Sequence, residues 1–247
     1  MSCRNTSPVT RNYIGNTGWE LRHRTAYDTS CQSGIHGGAA HNEEFNSTFH
    51  SVCGNWISTL NAYATSVGGF SVDWVGDVGV TVCKTGFHGE GRAFDLSQVR
   101  FSNGTFIDMN WAWRTSGCAT AATRRRYVAV VASIRRHAGT VLTAWYNVDH
   151  QNHVHFDNGV ALAPIRTSTI SDTTFIQATC NYMNAESLSI DGDWGPLTEA
   201  AYGRLLTKLR MQCRNPKGNT ADMALLCELI AKAGITGQAA GAFVGPC

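Results

Sequence analysis

Two stretches about sixty residues apart carry residue types that can do metal chemistry. The later one, "HVHFD" (153–157), follows a run that reads as a strand. With a two-residue period, His153, His155 and Asp157 share one face, while Val154 and Phe156 turn to the other. Histidines at i and i+2 of a strand stand ~6.5–7 Å apart. One can then coordinate a metal while the other reaches its bound water. The earlier stretch, "TGFHGEGRAFDLS" (85–97), sets His88 in a glycine turn and Asp95 on the alternating segment that follows. Gly89 and Gly91 allow the bend between them. Two His and one Asp, with water in the fourth position, is the ligand count of a catalytic rather than a structural zinc site. Each stretch alone has a plainer reading: a polar strand face with solvated histidines, or a glycine turn whose Asp95 satisfies backbone donors. Their pairing is what points to a metal.

The elements that must hold these residues form an α+β pattern. "FSVDWVGDVGVTVC" (70–83) alternates and is β-branched, so one or two strands are expected there. "VRFSNGTFIDM" (99–109) places Asn103-Gly104 between alternating apolar residues, a hairpin signal. "ATAATRRRYVAVVASIRRHAG" (119–139) reads as a helix stopping at Gly139, and "TVLTAWYNV" (140–148) as a strand feeding directly into the histidines. The segment 163–174, rich in Ser and Thr and without periodicity, reads as a linker. Beyond it lie three short helices: around 175–183, from Pro196 at a first helical turn, and from a cap at Asn219 or Thr220 to Gly234. Two domains are expected, 1–165 and 166–247.

With those motifs in view, H-x6-D followed downstream by H-x-H resembles the LAS group of zinc peptidases. That group includes D-Ala-D-Ala carboxypeptidases, murein endopeptidases and extensin-like domains. "HGEGRAFDL" is similar to their first element, although Thr85 or Gly86 stands where serine is usual. The resemblance spans roughly 79–157 and implies a small antiparallel sheet with flanking helices. It further implies zinc ligated by His88, Asp95 and His155. Many relatives carry an acidic base three residues before the last ligand histidine, where this chain has Asn152. The H-x-x-H-x-H pattern of murein endopeptidases fits better and implies His153 as base, with His150 in support. Zinc would lower the pKa of its water toward ~7 and polarise the scissile carbonyl. Asp149, Asp157 and Glu90 are candidates for orienting the ligand imidazoles. Lys84 and Arg92 flank the first ligand, where either could meet a substrate carboxylate or simply be a surface charge.

A second resemblance starts at "SIDGDWGPLTEAAY" (189–202), which looks like the DG-x-x-G-P-x-T-x-x-A element of three-helix peptidoglycan-binding domains. Together the two imply a peptidase acting on stem peptides or cross-links of bacterial peptidoglycan, as a D,D-carboxypeptidase or endopeptidase. Two other readings stay open: an inactive wall-binding protein, and a zinc peptidase acting on another protein. The H-x-E of zinc deaminases is also present at His88–Glu90, but their P-C-x-x-C partner is missing.

Composition sets the remaining bounds. A formal charge of +2 gives no general attraction to nucleic acid or membranes. No apolar run approaches the ~18 residues of a transmembrane helix. A monomer without nucleic-acid partner or membrane insertion is expected. The basic run Arg124–Arg126, with Arg135 and Arg136, reads as a solvated helix face. Nine cysteines, none in a Cys-x-x-Cys pair, suggest disulfides with one thiol left over. That places the chain outside the cytosol: extracellular, periplasmic or wall-associated. The start has no apolar signal core, consistent with a mature chain or with delivery by phage lysis or an injection device. "GIHGGAAHNEE" (34–44) offers His36 and His41 beside Glu43 and Glu44. A second metal site is conceivable there, although a glycine-rich loop with scattered polar residues is the preferred reading. Trp111, Trp113 and Trp145 read as core or cleft wall.

Overall fold

Residues 4–14, 18–24, 38–117 and 119–247 are described in this computed structural model. Period-two segments assemble into a seven-stranded sheet: β2 (Tyr13–Ile14), β3 (Trp19–His23), β5 (Val72–Asp77), β6 (Ala93–Phe101), β7 (Phe106–Asp108), β8 (Thr140–Leu142) and β9 (Val154–Asp157). The spatial order is β2-β3-β5-β6-β9-β8, with β7 paired to β6. All pairings are antiparallel except β3 with β5. Two further strands, β1 (Pro8–Arg11) and β4 (Glu43–Asn46), form a separate antiparallel pair. The expected hairpin is the β6–β7 turn, where Gly104 takes the φ of +87° that favours glycine.

Phe94, Leu96, Val154 and Phe156 belong to the core, where α1 (Ser47–Gly68) covers the sheet. Trp56 of α1 meets Phe94 and Phe156 at ring-centroid distances of 6.2 and 5.2 Å. Asn46 caps α1 by accepting from the Thr48 and Phe49 amides, and Phe49, Cys53, Trp56, Leu60 and Ala64 form its buried stripe. A second helix, α2 (Ala121–Arg135), joins the same layer; Trp56 Nε1 donates to Ser133 Oγ at 3.0 Å. Since the core takes the even positions of β6 and β9 here, Asp95 and His155 project from the opposite face.

Several expected boundaries move. Only β5 forms within 70–83. The strand from Thr140 ends at Leu142, and a turn rather than a continuous strand leads to the histidines. Helix α2 ends at Arg135, capped by Arg136, before Gly139. The segment read as a linker contains the start of α3 (Ile170–Asn184), because Thr169 caps it by accepting from the Asp172 amide. Both α4 (Pro196–Lys208) and α5 (Thr220–Ile235) lie where expected, with Pro196 in the first turn and Asn219 as cap.

The basic residues of α2 are not a solvated face. Arg135 is 1% exposed and binds Asp172 of α3 through Nε at 2.8 Å and through a terminal nitrogen at 3.1 Å. Arg125 donates to the carbonyls of Tyr182 and Gly237, and Arg136 to that of Ala224. Guanidinium donors thus satisfy carbonyls of the C-terminal helices, a role that only their docking creates. Gly234 brings α5 against α2, where a Cβ would come within 2.5 Å of the Arg125 carbonyl oxygen. A single core runs through the sheet, α1, α2 and the C-terminal helices.

Cysteine usage also differs from expectation. Cys213 and Cys247 form a disulfide, and Cys83 is disulfide-bonded. Among the described residues Cys53, Cys180 and Cys227 are buried free thiols, so more than one is left over. Their apolar surroundings, not a bond, account for them. Cys3, Cys31 and Cys118 lie outside the described residues. No described helix is long and apolar enough to cross a membrane.

Candidate metal centre

His88 sits in a 3-10 turn, Phe87–Glu90, between β5 and β6. The turn closes because Gly91 adopts φ +65°, and it lies so near the preceding chain that a Cβ on Gly89 would fall 1.9 Å from the Lys84 carbonyl oxygen. Arg4 and Asn46 pin it from outside by donating their amides to the Gly89 and Gly91 carbonyls. Asp95 of β6 and His155 of β9 are directly paired in the sheet register. Three ligand atoms therefore converge: His88 Nε2 is 3.2 Å from both Asp95 Oδ1 and His155 Nδ1, and His155 Nδ1 is 2.8 Å from Asp95 Oδ1.

The outer nitrogen of each imidazole is occupied. His88 Nδ1 donates to the Val80 carbonyl at 2.7 Å, and His155 Nε2 donates to Asp157 Oδ2 at 3.2 Å. Those bonds turn both inner nitrogens toward the Asp95 carboxylate, the orientation given to metal-ligating histidines by their outer partners. A carboxylate charge and two nitrogen donors so close need a cation among them. A proton on His155 is the smallest that serves: burial opposes it, but hydrogen bonds to Asp157 and Asp95 and their charges raise its pKa to about 9. For Asp95, burial acts upward, yet hydrogen bonds from His155 and His88 hold its carboxyl far below the usual range. Zinc fits the same donors. Bonds of 2.0–2.2 Å in tetrahedral geometry separate ligands by roughly 3.3–3.5 Å, a few tenths more than the observed edges.

His153 faces the triangle from the side, its Nε2 3.5 Å from Asp95 Oδ1. Its Nδ1 donates to Asn152 Oδ1 at 2.6 Å, leaving Nε2 as the basic atom. Burial lowers the His153 pKa; the charge of Asp95 opposes that shift, while His155, His88 and Lys84 reinforce it. The His150 ring lies tilted against His153 and edge-on to His155, at centroid distances of 5.1 and 5.8 Å, and donates Nδ1 to Asn147 at 2.5 Å. Burial, then the neighbouring histidines, lower its pKa to about 4. The four histidines and Asp95 named from the sequence thus meet in one place.

Other candidates divide. Lys84 is exposed, and its charge reaches His153. Arg92 is tied elsewhere, to Glu90 at 3.0 Å and to the side chain and carbonyl of Asn158 at 2.9 and 3.0 Å. Glu90 is thereby taken up by Arg92, and Asp157 is the acid that orients His155. Trp113 donates to the Gln151 carbonyl at 2.9 Å and packs edge-on against Trp145, bracing the loop that carries His150 and His153. The sequence gives no sign of the Val80 carbonyl or of the acceptor roles of Asn147 and Asn152, because no side-chain pattern marks a carbonyl and both asparagines resemble ordinary turn residues.

No curated protein and no solved structure matches the chain. The family model described as "Extensin-like protein C-terminus" matches residues 78–168, the segment that carries His88, Asp95 and the three histidines of 150–155.

Proposed function

We propose that the protein is a zinc-dependent peptidase that cleaves stem peptides or cross-links of bacterial peptidoglycan. The observation that carries this reading is the triangle of His88 Nε2, Asp95 Oδ1 and His155 Nδ1, each imidazole held from its outer nitrogen by a fixed acceptor. Zinc bound there would supply Lewis acidity to a carbonyl and a water acidified toward pH 7. The chain would supply the proton traffic. His153, its pKa lowered by burial, its Nδ1 given to Asn152 and its Nε2 facing the triangle, is suited to accept a proton and return it to a leaving amine. His150 flanks it as a second neutral imidazole, and Lys84 provides a positive charge at the rim for a peptide carboxylate.

The substrate class has two supports. One is the family match across the site, on the segment that resembles LAS peptidases. The other is the resemblance of 189–202 to an element of peptidoglycan-binding domains, in a turn that Gln177 braces: its Nε2 donates to Asp191 Oδ1 at 2.8 Å, while its Oε1 accepts from the Asp191 and Gly192 amides. An inactive wall-binding role is disfavoured because the donor set and a free base are both present. Zinc-loaded protein incubated with purified sacculi should release peptide fragments identifiable by mass spectrometry. Binding to sacculi with no new amino termini and no freed D-Ala would defeat the proposal.

A further inference from the structure

A second group of ligand atoms lies on the other face of the sheet. His23 at the end of β3, His41 just before β4, and Glu43 at its start each offer one atom, all within 4.8 Å of one another. His41 Nε2 is 3.2 Å from Glu43 Oε1. His23 Nδ1 lies 3.8 Å from the same oxygen but is given to Asp77, which leaves Nε2 as the His23 nitrogen with a lone pair for an ion. A fourth residue, Asp77 at the end of β5, accepts from His23 Nδ1 at 2.8 Å. It is 0% exposed, and its second oxygen, Oδ2, has no hydrogen-bond partner among the described residues. His36, the other histidine of this stretch, lies outside the described residues. The His41 ring packs against that of His23 at a centroid distance of 5.1 Å.

We infer that His23, His41 and Glu43 bind a second divalent transition-metal ion of the zinc class, with Asp77 as the carboxylate that holds the His23 ring. The inference stands apart from the proposed peptidase chemistry. Glu43 is 9% exposed and Asp77 fully buried, and two carboxylates taken from water stay ionised only with positive charge nearby. Two imidazoles and a carboxylate select a borderline ion over calcium or magnesium, which take oxygen ligands. His41 is half-exposed, so solvent completes the coordination.

The backbone already gathers these residues. His41 donates its amide to the Leu21 carbonyl, Arg22 bridges to Ala40, and a Cβ on Gly38 would fall 2.5 Å from the His23 carbonyl oxygen. An ion here clamps the end of β3 to the entry of β4 and, through Asp77, to β5. His23 shares the face of buried Leu21, whereas Asp95 and His155 point away from the core, so the sheet separates the two centres. The second group and Asp77 also lie before residue 78, outside the family match.

The test is a zinc count on the full chain, stripped by chelator, re-equilibrated by dialysis and measured by mass spectrometry of the metal. Two ions are expected in the wild type, one in His41→Ala, one in His155→Ala and none in the double variant. His41→Ala removes little packing; Glu43→Gln, which keeps the side-chain shape, must give the same loss. In a His155→Ala background, Asp77→Asn should weaken the remaining ion about 10- to 100-fold. A count unchanged by both His41→Ala and Glu43→Gln, or already zero in His155→Ala, overturns the inference. One ion in the wild type, kept in His155→Ala and lost in His41→Ala, would uphold this site and sink the first.

Discussion

Asp172→Ala should show how firmly the C-terminal helices are joined to the sheet layer. Asp172 is 2% exposed and takes two hydrogen bonds from Arg135 of α2, itself 1% exposed. It also accepts from the Arg166 amide at 2.8 Å. Removing it leaves the Arg135 guanidinium buried, with only the Ala163 and Pro164 carbonyls and a Met223 sulfur as acceptors. Breaking a buried pair this way costs about 3–5 kcal/mol. With an unfolding entropy near 2.1 cal/mol/K per residue, a 247-residue chain loses ~2 °C per kcal/mol, so Tm should fall by roughly 6–10 °C. Differential scanning calorimetry reads the shift and also whether one transition or two occur. The double change Arg135→Met with Asp172→Leu should recover most of the loss, because it strands no charge. A cost below about 1 kcal/mol, or a C-terminal transition that melts alone at unchanged temperature, would refute the reasoning.

Asp157→Asn should weaken zinc binding at the first centre about 10- to 100-fold in isothermal titration without unfolding the chain, since Asp157 orients His155 and is paired at 3.2 Å. His137 should make stability fall in acid. Burial, aided by the charge of Arg136, lowers its pKa from 6.5 to about 4, so the unfolded chain binds the extra proton in that window. Its contribution is complete above pH 6.5 and lost as pH drops toward 4; His137→Gln should flatten that part of the Tm profile. Cys247→Ser should cost about 3–4 kcal/mol, the loop-closure entropy of a bridge spanning 34 positions. Reduction of the wild type, which also opens the bridge at Cys83, should cost at least as much.

The first centre was partly legible: alternation sets His155 and Asp157 on one face of their strand, a glycine turn delivers His88 before Asp95, and the resemblance joins the two stretches, but the β6–β9 register that pairs Asp95 with His155 has no local signal. Its supports were less legible. Val80 contributes a carbonyl, and the asparagines at 147 and 152 acquire meaning only when their imidazoles are in place. The second group was half legible. His41 and Glu43 are neighbours in sequence, but His23 and Asp77 arrive through the parallel pairing of β3 with β5, which no local pattern announces. Helix α1 carries a readable stripe from Phe49 to Ala64, yet its Ser, Thr and Asn content gives the segment the look of a loop. Arg135 shows the opposite failure. Its place in a basic run suggests solvent, and only the docking of α3 buries it against Asp172.

The central claim is that the His88–Asp95–His155 triangle holds a zinc ion that, with His153, cleaves peptidoglycan peptides. Its most direct test measures bound zinc and released fragments together, on purified sacculi, for the wild type, His153→Ala and His155→Ala. The account predicts fragment release by the wild type. His153→Ala should retain the ion at this centre but lose about 10²- to 10⁴-fold in rate, and His155→Ala should lose both the ion and the activity. Zinc-bound wild type that releases no fragment, or His153→Ala that cleaves as fast as the wild type, would contradict it.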